Sequence, residues 1–230
     1  MYFDPLYIAV MAIGAILSFG AAAWTKAAVR RWSQVPTARG WTGADVAAAI
    51  LAAEGVEGVR IEPVRGFLSD HYDPRHRVLR LSPDIYGGRS VAAAGIAAHE
   101  VGHAIQHARG NQLMRVRQAL VPVANIGTNL GIWVMVIGAA IGLTGLAKLG
   151  VLLFGGFVAF TVVTLPIELD ASAKARRTLE KHGLLRGEEL RGVTKVLTAA
   201  AMTYLAAAVS AVLQLLYWMM RLGLLGGRRD

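Results

Sequence analysis

The sequence predicts a mainly α integral membrane protein with four transmembrane helices and a small α+β unit between the first two. Three observations carry that prediction. Apolar residues make up 55% of the 230 residues, with a mean hydropathy of +0.47, against roughly 45–50% apolar in soluble domains. They are concentrated in four charge-free runs, at 5–25, 118–147, 149–167 and 196–220. Each run reaches the about 17–25 residues that a helix needs to cross a bilayer. Buried core helices of a soluble protein are the alternative, and four such runs in so short a chain weigh against it. The third observation is charge: the chain carries a formal +9, most of it between the runs.

The elements follow in order. The first run opens on Asp4 without a Lys or Arg, and its positive charges come afterwards, at Lys26, Arg30 and Arg31. A cleaved signal peptide has the opposite layout, so this run reads as a retained anchor with its N-terminus outside. A basic stretch continues to Arg39. Thr42-Gly43-Ala44-Asp45 has the form of a capping box and starts a helix running to about Glu54, with Val46, Ile50 and Leu51 on its apolar face. Gly55 and Gly58 end it. Residues 59–64 alternate as a short strand. Residues 67–72 and Val78–Leu81 read as two further strands around an Asp73-Pro74-Arg75 turn. The last of these is expected to offer its edge to an extended substrate.

Ser90 is a suitable N-cap for a helix over 91–109, which Gly110 would stop. The second span follows. Its Gly127-x-x-x-Gly131 and Gly138-x-x-x-Gly142 spacings permit close helix contact, and Lys148 marks a tight turn into the third. Residues 26–117 thus form one extramembrane unit, and 168–195 form a second segment before the last span. The larger unit is too thin to bury a large core alone and is expected to pack on the spans.

Orientation comes from the basic residues. Residues 26–117 hold thirteen Lys and Arg, and 168–195 hold seven. Both segments are therefore expected on the cytoplasmic side of a prokaryotic cell membrane. The tail, with Arg221, Arg228 and Arg229, runs against this rule. The positive charge also attracts anionic lipid. No basic-aromatic recognition module is present, so nucleic acid is not an expected partner. The absence of cysteine removes disulfides and thiolate metal ligands from consideration.

The chemistry centres on His99-Glu100-Val101-Gly102-His103. On a helix, residues i and i+4 face the same way, so two imidazoles can bind one Zn²⁺ while the intervening Glu100 acts as general base on a water. A catalytic zinc takes a third protein ligand. Glu168, in Pro166-Ile167-Glu168-Leu169-Asp170-Ala171-Ser172, is favoured, because the loop charges place it on the same side as the motif. Asp170 is the rival, about 200° away around a helix. Ser172 and Arg176 share the Glu168 face and are candidates for supporting contacts, with a solvated face as the alternative. His107 overshoots a tetrahedral centre, and the positions held by Gln106 and Arg109 do not fit the pattern in which a third histidine follows. His71 or Tyr72 is a candidate for stabilising an oxyanion. Thr161 and Thr164, with Asn125, Thr128 and Asn129, are expected either to line a polar notch beside the site or to bond between helices.

Four blocks are together far more specific than the motif alone. They are Leu68-Ser69-Asp70-His71-Tyr72-Asp73-Pro74, Val78-Leu79-Arg80-Leu81-Ser82-Pro83, 98–107 around the motif, and 165–172. They resemble the bacterial YugP-type membrane-bound neutral zinc metallopeptidases, over nearly the whole chain and including the span pattern. The resemblance implies a multi-pass zinc peptidase with a zincin-like unit, His99, His103 and Glu168 as ligands, and Glu100 as base. The broader prenyl-protease and heat-shock membrane protease group is similar in plan. There an Asp follows the third ligand by four residues; here that position is Ser172, with Asp170 offset by two.

The expected function is a zinc metalloendopeptidase acting on peptides or membrane proteins at the cytoplasmic membrane boundary. A membrane scaffold with a structural or vestigial zinc site is the alternative, and the retained Glu100 argues against it because a structural site needs no base. A homo-oligomer or a membrane partner protein is compatible with the sequence. A transporter is disfavoured, since the spans lack internal ionisable groups and broken-helix pairs.

Overall fold

The computed structural model describes residues 4–66 and 68–225. Phe67, Arg228 and Arg229 lie outside them, so the first residue of the expected 67–72 strand and the two arginines at the end of the basic tail are not described. The elements run α1 (Pro5–Ser33), α2 (Gly43–Ala53), β1 (Arg60–Pro63), β2 (His71–Asp73), β3 (Val78–Leu81), α3 (Pro83–Tyr86) and α4 (Val91–Ala108). Then come α5 (Gln112–Ile126), a π-helical turn (Gly127–Gly131), α6 (Ile132–Ala140), α7 (Thr144–Lys181) and α8 (Glu188–Arg221). Four helical stretches are long and apolar enough to cross a membrane: α1, α5 through α6, α7 and α8. Ile16, Phe19, Trp133, Leu152 and Val162 are exposed on them. A water-facing surface would not carry such a belt, whereas lipid accepts it.

The chain divides into two compact units. The first comprises Met1–Ala21, Gln112–Pro166 and Thr203–Asp230. In it, Met135, Val151, Tyr217 and Trp218 form one buried cluster, and Phe154, Val158 and Ala211 another. Small residues set its helix spacing. A Cβ on Gly127 would stand 2.5 Å from the Leu153 carbonyl oxygen, and one on Gly138 2.4 Å from the Ala147 nitrogen. Gly142 plays a different part: at φ +76°, with open space around it, it makes the turn between α6 and α7. That turn therefore falls ahead of Lys148, which is inside α7. Glycine adopts a left-handed backbone at no steric cost, and this outweighs the charge as a helix stop.

Asn125 and Asn129 are exposed, with the Asn129 amide donating to its own helix at Asn125 O, 2.9 Å away. Thr128 also bonds within its helix. Thr161 and Thr164 are buried, and Thr161 Oγ donates to Val158 O at 2.8 Å.

The second unit comprises Ala22–Asn111 and Ile167–Met202. Its α2 begins on a complete capping box: Thr42 Oγ1 accepts from Asp45 N while the Asp45 carboxylate accepts from Thr42 N. Val46, Ile50 and Leu51 then face the interior. The α4 helix is capped by Ser90 Oγ, which accepts from Ala93 N, and is followed by Gly110 at φ +68°. Between its caps it is almost wholly buried.

The sheet has the order β1-β3-β2, with β1 parallel and β2 antiparallel to β3. β3 is thus the central strand, which overturns its expected role as a substrate-pairing edge. Val78, Leu79 and Leu81 are all fully buried, the pattern of a strand covered on both faces. β2 is also shorter than expected. Leu68 has φ +50°, and Asp70 turns away to accept from Ser82 N at 2.7 Å and Ser82 Oγ at 3.1 Å. The β2–β3 turn is held by Asp73 Oδ1, which accepts from the Arg75 and His76 amides.

Candidate metal centre

Three side chains from two helices converge within the second unit. His99 and His103 project from one face of α4, and their rings lie 4.8 Å apart, nearly perpendicular at 84°. Glu168 approaches from α7, its Oε2 3.2 Å from His99 Nε2 and 3.3 Å from His103 Nε2. The donor atoms of the set all lie within 4.8 Å of one another. α7 runs unbroken through Pro166, so Glu168 and Asp170 stay on one continuous helix and diverge. Glu168 is only 2% exposed, and Asp170 is not in the converging set.

These residues fit zinc. Metal–ligand bonds of about 2.0–2.1 Å in a tetrahedron separate the ligand atoms by about 3.3 Å, which the two Glu168 separations match. The remaining imidazole nitrogens are already occupied. Ser172 Oγ lies 3.1 Å from His99 Nδ1, and Gln106 Oε1 lies 3.0 Å from His103 Nδ1. Gln106 Oε1 can only accept and Ser172 Oγ is able to, so each ring can donate from Nδ1 and offer its Nε2 lone pair to a metal.

Gln106 is the residue that sequence reasoning missed. It is 1% exposed, and both ends of its amide are hydrogen-bonded. Its Oε1 accepts from His103, and its Nε2 donates to Ile167 O at 2.8 Å and Asp170 Oδ2 at 2.7 Å. It therefore joins one histidine to the backbone beside Glu168. Asp170 supports the site through Gln106 and is held in turn by Lys174. The available signal was the spacing, His103 to Gln106 at i,i+3 on a buried face.

Close approach of the two helices depends on the motif's own glycine. A Cβ on Gly102 would stand 2.6 Å from the Ala171 carbonyl oxygen. At the far ends, Glu54 accepts from Arg109 just after α4, from Lys181 at the end of α7 (3.0 Å) and from His182 (2.9 Å). The hydrogen bonds from His182 and Lys181 lower the Glu54 pKa to about 2.

Glu100 is buried between the histidines. Burial works against a charged His103, but the hydrogen bond with Glu168 and the charge of Glu100 outweigh it and raise the His103 pKa. A field that favours a proton there also favours a metal cation. Burial likewise raises the Asp70 pKa, the Ser82 bonds oppose this, and the negative Glu100 adds to it.

Tyr72, His71 and Arg176 have surroundings of their own. Tyr72 has a buried ring, and its hydroxyl is 2.9 Å from His107 Nδ1. His71 is exposed and bonds Ser69 O. Arg176 is exposed and lines a crevice of about 230 Å³ with Leu169, Ser172 and Met202. None of these three belongs to the converging set of His99, His103 and Glu168.

Fold and site together define a membrane protein with a His-His-Glu group able to hold a metal. The family described as "putative neutral zinc metallopeptidase" matches residues 7–223, and the chain belongs to that family. It is 40% identical over 215 residues to the "Putative membrane protease YugP" of Bacillus subtilis, covering 94% of this chain and 95% of that one. No solved structure matches the chain.

Proposed function

We propose that the chain is an integral-membrane zinc endopeptidase, with His99, His103 and Glu168 as ligands and Glu100 as general base. The observation that carries this reading is the convergence of two Nε2 atoms and one carboxylate oxygen beside a buried glutamate on the same helix. Zinc, when bound, would polarise a carbonyl and bring a water toward a pKa of about 7. Glu100 would take a proton from that water and deliver it to the departing amine nitrogen, so that one carboxyl serves as base and then acid. Ser172 and Gln106 hold the histidines in the tautomer this requires. An extended peptide would pair with the open edge of β2, the edge strand that packs against α4.

The basic segments 26–117 and 168–195 support a cytoplasmic site at the membrane boundary. The substrates are peptides or membrane proteins that reach that boundary.

The test is zinc analysis of purified full-length protein and of Glu100→Gln, alongside cleavage of casein and of a membrane-protein substrate. The expected result is one zinc in both proteins and cleavage by the wild type alone. Zinc in both with no cleavage by either would favour the scaffold reading. Because the chain has no cysteine, single cysteines at Arg75 and Leu143 can report orientation. A membrane-impermeant maleimide should label Leu143→Cys in intact cells and Arg75→Cys only after lysis.

A further inference from the structure

A groove of about 780 Å³ lies in the second unit, lined by none of His99, Glu100, His103 or Glu168. One wall is the face of α1 that carries Lys26, Val29, Arg30 and Ser33; the opposite wall includes Leu68, Asp84 and Arg89. Lys26, Arg30 and Arg89 are exposed, and among the described residues none of them is in an ion pair. Three cations thus face one carboxylate, Asp84, across an opening with Val29 and Leu68 in its sides.

The position of these cations along α1 is informative. The charge-free run 5–25 is about 31 Å long as a helix, matching the about 30 Å hydrocarbon core. Lys26 is the first charge after it. Arg30 lies one turn further, about 6 Å along the axis, within a headgroup layer roughly 5–7 Å deep. Lys26 and Arg30 therefore stand at the depth of lipid phosphates along α1, and the groove they line also carries the apolar side chains of Val29 and Leu68.

We propose that this groove binds the phosphate-bearing headgroup of an anionic phospholipid, held by Lys26, Arg30 and Arg89. A soluble phosphate ester shares the anionic chemistry but makes no use of the apolar walls or of the depth.

The test uses full-length protein in a mild detergent, with phosphatidylglycerol and phosphatidylcholine binding counted by native mass spectrometry. Wild type should bind phosphatidylglycerol about tenfold or more over phosphatidylcholine. Removing a cation near a lipid surface weakens attraction by about fivefold, so K26Q/R30Q/R89Q should lose on the order of a hundredfold. K26R/R30K/R89K should keep binding, and the charge-matched R65Q/R75Q/R186Q should stay within about twofold of wild type. Undiminished binding by K26Q/R30Q/R89Q overturns the proposal, as does equal loss in the charge-matched variant. Displacement of the lipid by millimolar glycerol 3-phosphate or inorganic phosphate also overturns it, in favour of a soluble ligand.

Discussion

Gly102 and the carbonyl of Ala171 stand so close that a single methyl group on Gly102 would sit 2.6 Å from the oxygen. The fourth residue of the metal motif thus acts as the contact point between the two ligand-bearing helices. Gly102→Ala should force α4 and α7 apart at the level of Glu168. Overpacking of this kind costs about 1–3 kcal/mol, or about 5- to 150-fold in zinc affinity if it falls on the metal-bound state. Chelator competition measures this. Unchanged zinc affinity would mean that the helices do not need this approach.

Gln106→Leu keeps the volume and removes every hydrogen bond that joins His103 to Ile167 and Asp170. Loss of such supporting contacts typically weakens metal binding by about 10- to 100-fold. Ser172→Ala should have a smaller effect, since His99 Nδ1 can turn to water. Glu100→Gln should leave zinc affinity near wild type, which separates support of the metal from proton transfer.

Glu54 ties together the ends of α2, α4 and α7, and its depressed pKa makes that tie depend on pH. Its folded value of about 2 lies below the ordinary 4.5, so its contribution is fully present above about pH 4.5 and disappears as the pH falls toward 2. Glu54→Gln should therefore lower the melting temperature at pH 7 and leave it unchanged near pH 2. Melting curves of both proteins across that range provide the check. An equal difference at both ends would show that Glu54 acts through packing alone.

Leu79→Pro should abolish folding of the metal-bearing unit and leave no selective defect in substrate binding. β3 is paired on both sides, and proline in a central strand removes a ladder donor that nothing replaces. Limited proteolysis should show rapid cleavage of 22–111, together with loss of zinc. A folded, zinc-loaded variant that fails only to bind peptide would restore β3 as a substrate edge.

Where local chemistry decides, the sequence was legible. Thr42 with Asp45, and Ser90 with Gly110, mark helix ends because capping is settled within a few residues. The i,i+4 histidines share a face for the same reason. Strand order was not legible: Val78–Leu81 is apolar at three of four positions, but only its pairing with both β1 and β2 makes it central. The turn at Gly142 was hidden by the stronger signal of Lys148, although glycine's backbone freedom decides it. Gln106 was passed over because its role depends on Ile167 and Asp170, 61 and 64 residues away. Glu168 was legible because carboxylates are scarce in that part of the chain.

The third member of the metal set lies 69 residues beyond the first, on a helix made late in synthesis. A nascent chain that has emerged only as far as α6 holds both imidazoles but lacks Glu168, which completes the set. The peptidase would therefore be born unarmed. It would gain its metal only after its third apolar helix had been delivered and docked, so that the order of synthesis would itself postpone metal loading.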